Sequence, residues 1–435
     1  MSSRSRARAI SARLPFGIGT VVLICCAALL VTAGVVLFGG DPKVDDTDYA
    51  YGELRDYERR PTTAWTIVGH QHLPDHRDGV PIEVADAAGD KWLISYPSGL
   101  GRSFTMIERR TGKVLWDTPI NAGQGDCAFN ASGQVGCAVE LGSPLDDGFY
   151  LIDETGAPTR TARYLDTRKV VGLGTNFLRV NKVGHQLSLT TPAGKTIWAR
   201  TFAAPIVGIE VDGDIVVIKT ADASQYLINP VDGGNRIGCE QCTITLYPSG
   251  VTVEHQQYGQ EKVTTYAIVN GRVDPDPVTE AAGLQVESGP SVLPLLTASN
   301  RIFAGRGEYE VRDPARRTAR WRIADRELSK SGAIACGSLV NFGLLDGSRT
   351  TYAITDGTHI GSGPPPGPTT PILANPACVG SAGNTMILLN QGQLTALKPD
   401  NTVAWEQPMG SGRVKVVDGY LVLGEGDTLS VLRPG

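Results

Sequence analysis

The tryptophans of this chain recur at a nearly constant interval. Gaps of 82, 123 and 84 residues separate, in order, Trp116, Trp198, Trp321 and Trp405. These gaps are two, three and two multiples of about 41 residues, within the ~40–45 residue length of a four-stranded propeller blade. Five of the six tryptophans, including Trp65, fall on the repeat position, and only Trp92 does not. The period predicts one ring of repeated units rather than several independent domains.

The sequence around each repeat position has the pattern of a β-hairpin. Residues 106–116 read as an apolar strand end, a Thr-Gly turn and a second strand closed by tryptophan, and residues 187–198 repeat that order. Copies without tryptophan begin at Tyr150, Tyr226, Tyr266 and Tyr352. Between copies the apolar residues alternate, as in residues 208–218, where an Asp-Gly pair predicts a tight turn. Since no long helical period follows residue 60, the predicted fold class is all-β, a β-propeller.

The two ends of the repeat region complement each other. The strand around Trp65 lacks the strands that should precede it, whereas residues 412–433 look like three inner strands without an outer one. Pairing the two ends closes the ring and removes its exposed sheet edges. Eight whole copies and this split copy are present, but propellers typically have 4–8 blades. We therefore predict eight four-stranded blades, with seven or nine as alternatives.

The Thr-Gly-x-x-x-Trp repeat resembles the PQQ-like β-propeller repeat over roughly residues 62–435. That repeat occurs in quinoprotein dehydrogenases and in the envelope propeller that assists outer-membrane protein assembly. The resemblance implies that one tryptophan per repeat packs against the neighbouring blade, and here these are Trp65, Trp116, Trp198, Trp321 and Trp405. It implies little about activity, because one propeller scaffold hosts unrelated functions.

A quinone cofactor would need residues beyond the repeat. The quinoprotein dehydrogenases place two adjacent cysteines beside the quinone and hold a Ca²⁺ ion with Glu, Asn and Asp. The only adjacent pair in this chain, Cys25 and Cys26, lies in an apolar run near the N-terminus. We therefore expect no cofactor.

That apolar run predicts a membrane anchor. Residues 16–38 carry no charge and, as a helix rising ~1.5 Å per residue, would cross the ~30 Å hydrocarbon core. Arginines in residues 1–15 place this tail in the cytoplasm by the positive-inside rule. We expect a single-pass signal-anchor, a tether over residues 39–61, and an extracytoplasmic propeller over residues 62–435. A cleaved signal peptide is the alternative.

Charge excludes some partners and suggests others. With 40 Lys+Arg against 45 Asp+Glu, the net charge of −5 gives no reason to expect nucleic-acid binding. Residues 301–326 nevertheless contain eight arginines, and we predict a possible partner patch at Arg312, Arg316, Arg317 and Arg320. Such a patch would suit an acidic partner, an anionic lipid or a cell-wall polymer. The alternative is a solvated blade whose arginines pair with nearby acidic residues.

The six cysteines after the anchor suggest disulfides. Six cysteines allow 15 pairings, and proximity favours Cys127–Cys137, Cys239–Cys242 and Cys336–Cys378. Cys336 and Cys378 are 42 residues apart, one repeat, so they would occupy equivalent strands of adjacent blades. The Cys239–Cys242 pair could instead be a redox motif or half a zinc site, although a βαβ context and further ligands are missing.

Histidines cluster only at His70, His72 and His76. On an extended strand, His70 and His72 would project to one face and could bind Zn²⁺ or Cu²⁺ together with His76 or Asp75. The alternative is a polar loop between the first outer strand and the next blade, so these residues are weak metal candidates.

No familiar enzyme motif occurs where its structural context would be met. The sequence therefore favours a non-catalytic, membrane-anchored propeller that serves as a protein-binding scaffold for other envelope or membrane proteins. The alternative is an enzyme or small-ligand sensor that uses the funnel to bind a sugar or a quinone. Convergent carboxylates and histidines in the funnel would favour the enzyme, and apolar patches on one rim would favour the scaffold.

Overall fold

The alternating apolar segments form short antiparallel strands in the computed structural model. It describes residues 49–77, 80–161, 166–255, 261–287, 289–298, 307–328, 332–364 and 376–435. The predicted cytoplasmic tail, the transmembrane helix at residues 16–38 and residues 39–48 of the predicted tether lie outside these ranges. Within them, no helix is both long enough and apolar enough to span a membrane.

The first strand of the fold is β1 (Thr62–Val68), and a single helical turn, α1 (Gly69–His72), follows it. The next three sheets are antiparallel meanders of four strands each, which we number blades 1 to 3. Blade 1 consists of β2 (Glu83–Ala88), β3 (Lys91–Ser98), β4 (Gly101–Glu108) and β5 (Ile120–Gly123); blade 2 of β6 (Cys127–Phe129), β7 (Val135–Val139), β8 (Gly148–Ile152) and β9 (Pro158–Thr161); blade 3 of β10 (Thr167–Leu173), β11 (Asn176–Asn181), β12 (Gln186–Thr190) and β13 (Thr196–Thr201).

Blades 4 to 6 continue the pattern, except that two short strands share the outer edge of blade 5. Blade 4 consists of β14 (Ile206–Asp212), β15 (Ile215–Thr220), β16 (Gln225–Ile228) and β17 (Asn235–Cys239); blade 5 of β18 (Cys242–Tyr247), β19 (Gly250–His255), β20 (Lys262–Val269), β21 (Arg272–Val273) and β22 (Thr279–Ala282); blade 6 of β23 (Leu284–Val286), β24 (Leu295–Ala298), β25 (Gly307–Arg312) and β26 (Ala319–Asp325).

Blades 7 to 9 complete the fold, and blade 9 takes its outer strand from the other end of the chain. Blade 7 consists of β27 (Ile334–Cys336), β28 (Leu339–Gly343), β29 (Arg349–Ala353) and β30 (His359–Gly363); blade 8 of β31 (Ala377–Ala382), β32 (Thr385–Asn390), β33 (Gln393–Leu397) and β34 (Val403–Pro408); blade 9 of β35 (Arg413–Val417), β36 (Tyr420–Glu425), β37 (Thr428–Arg433) and β1.

The described residues thus form an all-β propeller of nine blades, one more than the eight predicted and within the alternatives. Every repeat copy forms a blade, including the copies without tryptophan, so reducing the count to the usual maximum was wrong. The first strands of several neighbouring blades contact each other, for example β2 with β6 and β6 with β10. First strands therefore surround the ring axis, and fourth strands form its outer edge.

Blade 9 closes the ring as the two chain ends predict. β1 pairs antiparallel with β37, and Trp65 lies opposite Val431. The closed blade then packs on blade 1 in one apolar cluster, which includes Trp65, Val422 and Val431 on one side and Ile82 and Trp92 on the other.

The repeat tryptophans join neighbouring blades. The indole N–H groups of Trp65, Trp198 and Trp321 donate to the backbone oxygens of Arg109, Pro230 and Ile354 in the following blade, at 2.7, 2.9 and 2.7 Å. Trp116 packs on the Gly156 turn of blade 2, and Trp405 belongs to the apolar cluster between blades 8 and 9. All five tryptophans thus contact the next blade.

Glycine at the contacted turn makes this packing possible. Gly112 and Gly233 have φ of +70° and +73°, and a Cβ atom there would come within 2.7 and 2.6 Å of the rings of Trp65 and Trp198. A side chain would both strain the backbone and overlap the indole. At Gly112, Gly156, Gly233 and Gly357, the glycine of the turn and the tryptophan of the preceding blade therefore form one structural unit.

The described residues contain three disulfides, and they are the pairs that proximity favoured. Cys127–Cys137 joins directly paired residues of β6 and β7, and Cys239–Cys242 closes the short link between blades 4 and 5. Cys336–Cys378 joins the first strands of blades 7 and 8, with a Cα–Cα distance of 5.5 Å. Only this last bond connects two blades through equivalent strands.

Residues 49–61, which we name the strap, do not form the predicted tether. Leu54 and Tyr57 are buried, and the Leu54 amide donates to Ser381 of blade 8 at 2.8 Å. The Tyr57 hydroxyl donates to the Leu432 oxygen at 2.6 Å and accepts from the Leu421 amide at 3.0 Å. Correcting the prediction, the compact unit begins at residue 49 rather than 62, because these side chains find partners in blades 8 and 9.

Candidate functional site

The turns between second and third strands lie on one face of the ring, which we name the 2–3 face. All blades are meanders of the same order, so equivalent turns project in the same direction. In blades 1, 2 and 3 these turns carry Leu100, Leu141 and Val183, which are 80%, 65% and 67% exposed. We name these three residues the apolar patch.

Local backbone geometry holds the apolar patch outward. Leu100 follows Gly99, Leu141 precedes Gly142, and Val183 precedes Gly184, and all three glycines have positive φ. In blades 1 and 3 the glycine permits a tight turn, so the neighbouring aliphatic side chain lies at its tip and not in the core. In blade 2, Leu141 and Gly142 lie near the start of the longer connection 140–147. A Cβ atom on Gly142 would lie 3.4 Å from the Leu100 Cβ, so the turns of blades 1 and 2 touch.

A groove of about 330 Å³ lies along this contact. The Gln124 side-chain amide donates to the Leu100 oxygen at 3.2 Å, and the Gln124 backbone amide donates to the Glu140 oxygen at 2.7 Å. The exposed Arg168 of β10 also lines the groove and approaches the Gly184 turn to about 3.8 Å, measured to a Cβ built on that glycine. The surface is therefore continuous from blade 1 to blade 3, with Glu140 and Arg168 as its charged side chains.

The opposite face of the ring is closed at its axis by the strap. Its Arg55 amide donates to Gly419 of blade 9 at 3.2 Å, while its Tyr51 hydroxyl donates to the Asp212 carboxylate of blade 4. Blades 9 and 4 lie on opposite sides of a nine-bladed ring, so the strap spans the axial opening. Arg55 also stacks between the rings of Tyr49 and Tyr420, 4.3 Å from each centroid.

Beneath the strap lies an axial cavity of about 410 Å³. Burial raises the pKa of the Tyr247 hydroxyl, so this phenol stays protonated. The cavity combines carboxylates, hydroxyls and aromatic rings without a basic side chain among its lining residues. Those residues are Ala50, Tyr51, Glu210, Val211, Asp212, Thr245, Leu246, Tyr247, Gly289, Pro290 and Ser291.

Two buried carboxyl groups belong to blades 1 and 2: Asp86 joins the two blades, and Asp126 accepts from the Cys127 amide of its own blade. The Asp86 carboxylate of β2 accepts from the Phe129 amide of blade 2 at 2.7 Å and from the Ala87 amide at 2.9 Å. Burial raises its pKa, and these amides offset only part of that effect. Burial likewise raises the pKa of Asp126, against the opposing influence of Lys169. Their bonds to backbone amides indicate a structural role in blades 1 and 2.

The histidines do not adopt the predicted extended arrangement. His70 and His72 belong to the helical turn α1, so the premise that a strand projects both to one face was wrong. The His70 Nδ1 lies 2.5 Å from the Asp427 carboxylate, His72 bonds locally to Val68, and the His76 ring packs 6.1 Å from that of Tyr96. Across the described stretches, no group of three or more His, Cys, Asp or Glu side chains could hold a metal ion.

The arginines of the predicted patch lie in blade 6, but they do not share one exposed surface. Arg312 is only 8% exposed and binds the buried Glu310, which also accepts from Arg322 at 2.7 Å. Arg316 and Arg320 both pair with the buried Asp313, at 3.2 and 2.9 Å. Arg317 is exposed, and Arg301 and Arg306 lie outside the described residues. Internal ion pairs, the alternative reading, thus account for Arg312, Arg316 and Arg320.

Sequence reasoning did not single out the apolar patch. Its signal was available, because each member is an aliphatic residue beside a glycine at the same place in consecutive repeats. A single exposed aliphatic residue means little, whereas its recurrence at equivalent turns indicates a shared surface.

The fold is similar to three solved structures. BamB from Moraxella catarrhalis is 12% identical, with 86% of this chain and 97% of that chain covered and a TM-score of 0.40. The computationally designed Ika8 protein is 13% identical, with 83% and 98% covered and a TM-score of 0.41. The Dos1 propeller is 8% identical, with 87% and 96% covered and a TM-score of 0.42. No protein-family model matches the chain, and no curated protein does.

Proposed function

We propose that this protein is a non-catalytic scaffold of the bacterial cell envelope, anchored by residues 16–38, that binds another envelope protein through the apolar patch. The observation that carries the proposal is the exposure of Leu100, Leu141 and Val183 on equivalent turns of three consecutive blades. Water contact with apolar side chains that are exposed together on one face is unfavourable, and burial against a partner removes it.

The groove beside the patch supplies specificity. Glu140 and Arg168 are charged side chains at its rim, where complementary charges select a partner and fix its register. The chemistry suits a partner segment with aliphatic side chains for the patch and an acidic residue for Arg168. A rim of this kind around an apolar centre is the usual anatomy of a protein interface.

Cross-linking in cells followed by mass spectrometry tests the scaffold. We expect the tagged full chain to capture reproducible neighbours and the triple variant Leu100→Asp, Leu141→Asp, Val183→Asp to lose them. The matched control is Val231→Asp, because Val231 is 58% exposed but lies in a turn of the opposite face. Neighbours that survive the triple variant, or a full chain without reproducible neighbours, would refute the proposal.

The membrane anchor has a separate test. After carbonate extraction, the full chain should stay with the membrane pellet, because an apolar helix of this length holds it there. A variant that lacks residues 16–38 should appear in the soluble fraction. Release of the full chain by carbonate would contradict the anchor and leave the patch experiment unaffected.

The axial cavity favours a second candidate, a sensor of a small polar ligand. Carboxylates accept hydrogen bonds from sugar hydroxyls, and tyrosine rings stack on sugar faces, so the lining suits a sugar better than a quinone. Calorimetry with a panel of monosaccharides should show binding that Asp212→Asn weakens at least about tenfold, or 1.4 kcal/mol. Asp214→Asn, two residues along the chain, is the control, and equal binding by both variants would exclude this site.

A further inference from the structure

The surface beside the apolar patch continues onto blade 4. The Ile206 amide donates to the Gly184 oxygen in the blade 3 turn at 2.8 Å, and a Cβ atom on Gly184 would lie 3.2 Å from the Pro205 Cβ. Val207 comes next in β14 and is 62% exposed. First strands begin at the 2–3 face and run toward the opposite face, so Val207 lies on the same face as the patch.

Two β-bulges expose side chains on this part of the surface. The strand register shifts around Arg168, where β10 pairs with β11, and around Val207, where β14 pairs with β15. Each of these residues is the extra one in its strand, and both are exposed. A bulge bends its strand and redirects the side chain, which explains why neither side chain enters the core. One basic and one apolar side chain are thus exposed on the first strands of consecutive blades.

A second groove, of about 430 Å³, lies where this surface reaches blade 5. Lys219 lines it from blade 4, and Gln241 and Thr243 line it from the beginning of blade 5. The Ala221 amide, in the blade 4 turn beside the groove, donates to the Pro205 oxygen at 2.8 Å. The groove therefore adjoins the bulge of blade 4. We name the exposed residues of the 2–3 face together with this groove the binding arc, and these residues are Leu100, Leu141, Arg168, Val183 and Val207.

Charge along the binding arc selects the chemistry of an occupant. Arg168 is exposed near its middle, where an acidic side chain would pair with the guanidinium. Lys219, at its far end, is 41% exposed and lies 3.4 Å from the Glu210 carboxylate, which offsets part of its charge. The groove there suits a neutral polar side chain, since Gln241 and Thr243 offer hydrogen-bonding groups.

The curvature of the binding arc selects the conformation of an occupant. The arc crosses four of the nine blade boundaries, which is nearly half of the ring. Sheets pack ~10 Å apart, so the arc is ~40 Å long with a radius of curvature of ~15 Å. An α-helix bends only gently, with a radius of ~60–100 Å, and cannot follow this curve. An extended chain can follow it, and at ~3.3 Å per residue about 12 residues cover the arc.

We propose that the binding arc holds an extended segment of the partner protein, about 12 residues long, that runs along blades 1 to 5. The inference rests on the proposed scaffold function and adds the conformation of the bound segment and the second half of its binding surface. Aliphatic side chains of the segment cover the apolar patch and Val207. An acidic side chain pairs with Arg168, and a polar side chain enters the groove beside Lys219.

Site-specific photo-cross-linking of the full chain in cells tests this proposal. The photoreactive residue p-benzoylphenylalanine replaces, one at a time, Leu100, Val207 and Ala223, the last of which lines the second groove. All three positions should capture the same protein, and position 231 on the opposite face should not. Mass spectrometry of the cross-linked peptides should place the three contact sites in one stretch of about 12 residues, in the order of the blades.

The outcomes separate this inference from the scaffold itself. Capture at position 100 without capture at 207 and 223 would overturn the binding arc and leave the scaffold standing. Contact sites scattered over the partner sequence would show that a folded surface binds, and would also overturn the extended segment. The absence of capture at all three positions would refute the scaffold together with the arc.

Binding of a synthetic peptide with the captured sequence tests the individual contacts. Calorimetry with the purified full chain should show that Val207→Asp weakens binding at least about tenfold, whereas Val231→Asp leaves it unchanged. Arg168→Glu should also weaken binding, and a peptide whose acidic residue is changed to lysine should bind this variant better than the unsubstituted chain. Unchanged affinity in Val207→Asp would limit the binding surface to blades 1 to 3 and contradict the proposal.

Discussion

The ring is held together differently at its closure and at the network of Thr265, Thr279, Glu310, Arg312 and Arg322 between blades 5 and 6, which we name the polar seam. Around blade 9, the strap and the first strand come from one end of the chain and the inner strands from the other, and apolar side chains such as Trp65, Tyr57 and Trp405 fill the contacts. At the boundary of blades 5 and 6, hydrogen bonds and ion pairs lie beside the buried Val263 and Leu296. The first region joins residues over 300 positions apart, and the second joins neighbours along the chain.

The difference shows where a propeller needs its strongest contacts. Closure must compensate the entropy of bringing distant segments together, and that cost grows with loop length. Apolar burial supplies ~25 cal/mol per Å², so a buried tryptophan and tyrosine contribute several kcal/mol. A hydrogen bond contributes a net ~0.5–1.5 kcal/mol, which suffices between blades that their connecting chain already keeps close.

Truncation at the closure should have the largest effect on stability. Trp405 is 4% exposed, and its indole N–H donates to the Tyr57 oxygen of the strap at 2.8 Å. We expect Trp405→Ala to lower the free energy of unfolding by about 4 kcal/mol, because it leaves a cavity and an unpaired carbonyl. Urea denaturation measures this loss. Val403→Ala, at a 39% exposed position of the same strand, should cost under about 0.5 kcal/mol. Equal losses for the two variants would mean that the Trp405 contact does not stabilise the closure more than an exposed side chain does.

A methyl group at the tryptophan–glycine contact should have the next largest effect. Gly233 has φ of +73° and lies against the Trp198 ring, whereas Gly213 has φ of +55° with nothing within 4 Å of a built Cβ. Gly233→Ala should cost about 3 kcal/mol by combining backbone strain with overpacking, and Gly213→Ala only about 1 kcal/mol of strain. Thermal unfolding of the two variants provides the comparison. A Gly213 variant as unstable as the Gly233 variant would show that the backbone alone requires glycine.

Removing one side chain of the polar seam should lower the free energy of unfolding less than the two substitutions above. Arg312→Met cuts the link to Thr279, but Glu310 keeps its contact with Arg322. We therefore expect a loss of about 2 kcal/mol, below the ~3–5 kcal/mol of a charge left without any partner. Arg316→Met should cost at most about 1 kcal/mol, since the Arg316 side chain is 60% exposed and Asp313 keeps its contact with Arg320. Urea denaturation checks both values. A loss for Arg312→Met as large as that for Trp405→Ala would mean that the polar seam contributes as much to stability as the closure.

The sequence predicts the periodic parts of this fold because they depend on local patterns. Alternating strands, turn glycines, the tryptophan position and the pairing of the two chain ends all follow from residues within one repeat of each other or from matching incomplete repeats. We predicted too few blades because we relied on the usual range for propellers, although the repeat copies themselves give nine. For the number of blades, the repeat count was more accurate than the usual range.

Features that depend on distant partners were not predictable. The strap has a polar, charged composition, and Tyr57 becomes buried only through Leu421 and Leu432, hundreds of residues away. The seam between blades 5 and 6 likewise depends on which sides of two sheets meet. Arg312 looked like a surface charge because its neighbours in sequence are charged, yet its contacts to Glu310 and Thr279 bury it.

Acid should distinguish two carboxyl groups by the sign of their effects. Burial tends to raise the pKa of Asp313, but the Ser249 side chain, the Ala315 amide and Arg320 together outweigh it and hold this pKa below its usual value. The stability that Asp313 contributes is therefore complete above the unfolded pKa of about 3.9 and is lost as pH falls through the lower folded pKa. At Asp126, burial outweighs Lys169 and the folded pKa is raised, so this group destabilises the fold at neutral pH and ceases to do so as pH falls through the folded pKa toward 3.9.

The two asparagine variants turn this difference into a measurement. At pH 7, Asp313→Asn should lower the free energy of unfolding and Asp126→Asn should raise it. Urea denaturation between pH 7 and pH 3 should show the gain at Asp126 fading first, because its folded pKa lies above the usual value, and the loss at Asp313 fading only at the acid end. If both variants destabilise the chain equally at every pH, both carboxylates act through hydrogen-bond geometry alone. The charge of the carboxylate would then have the same effect at Asp126 in blade 2 as at Asp313 in the arginine-rich blade 6.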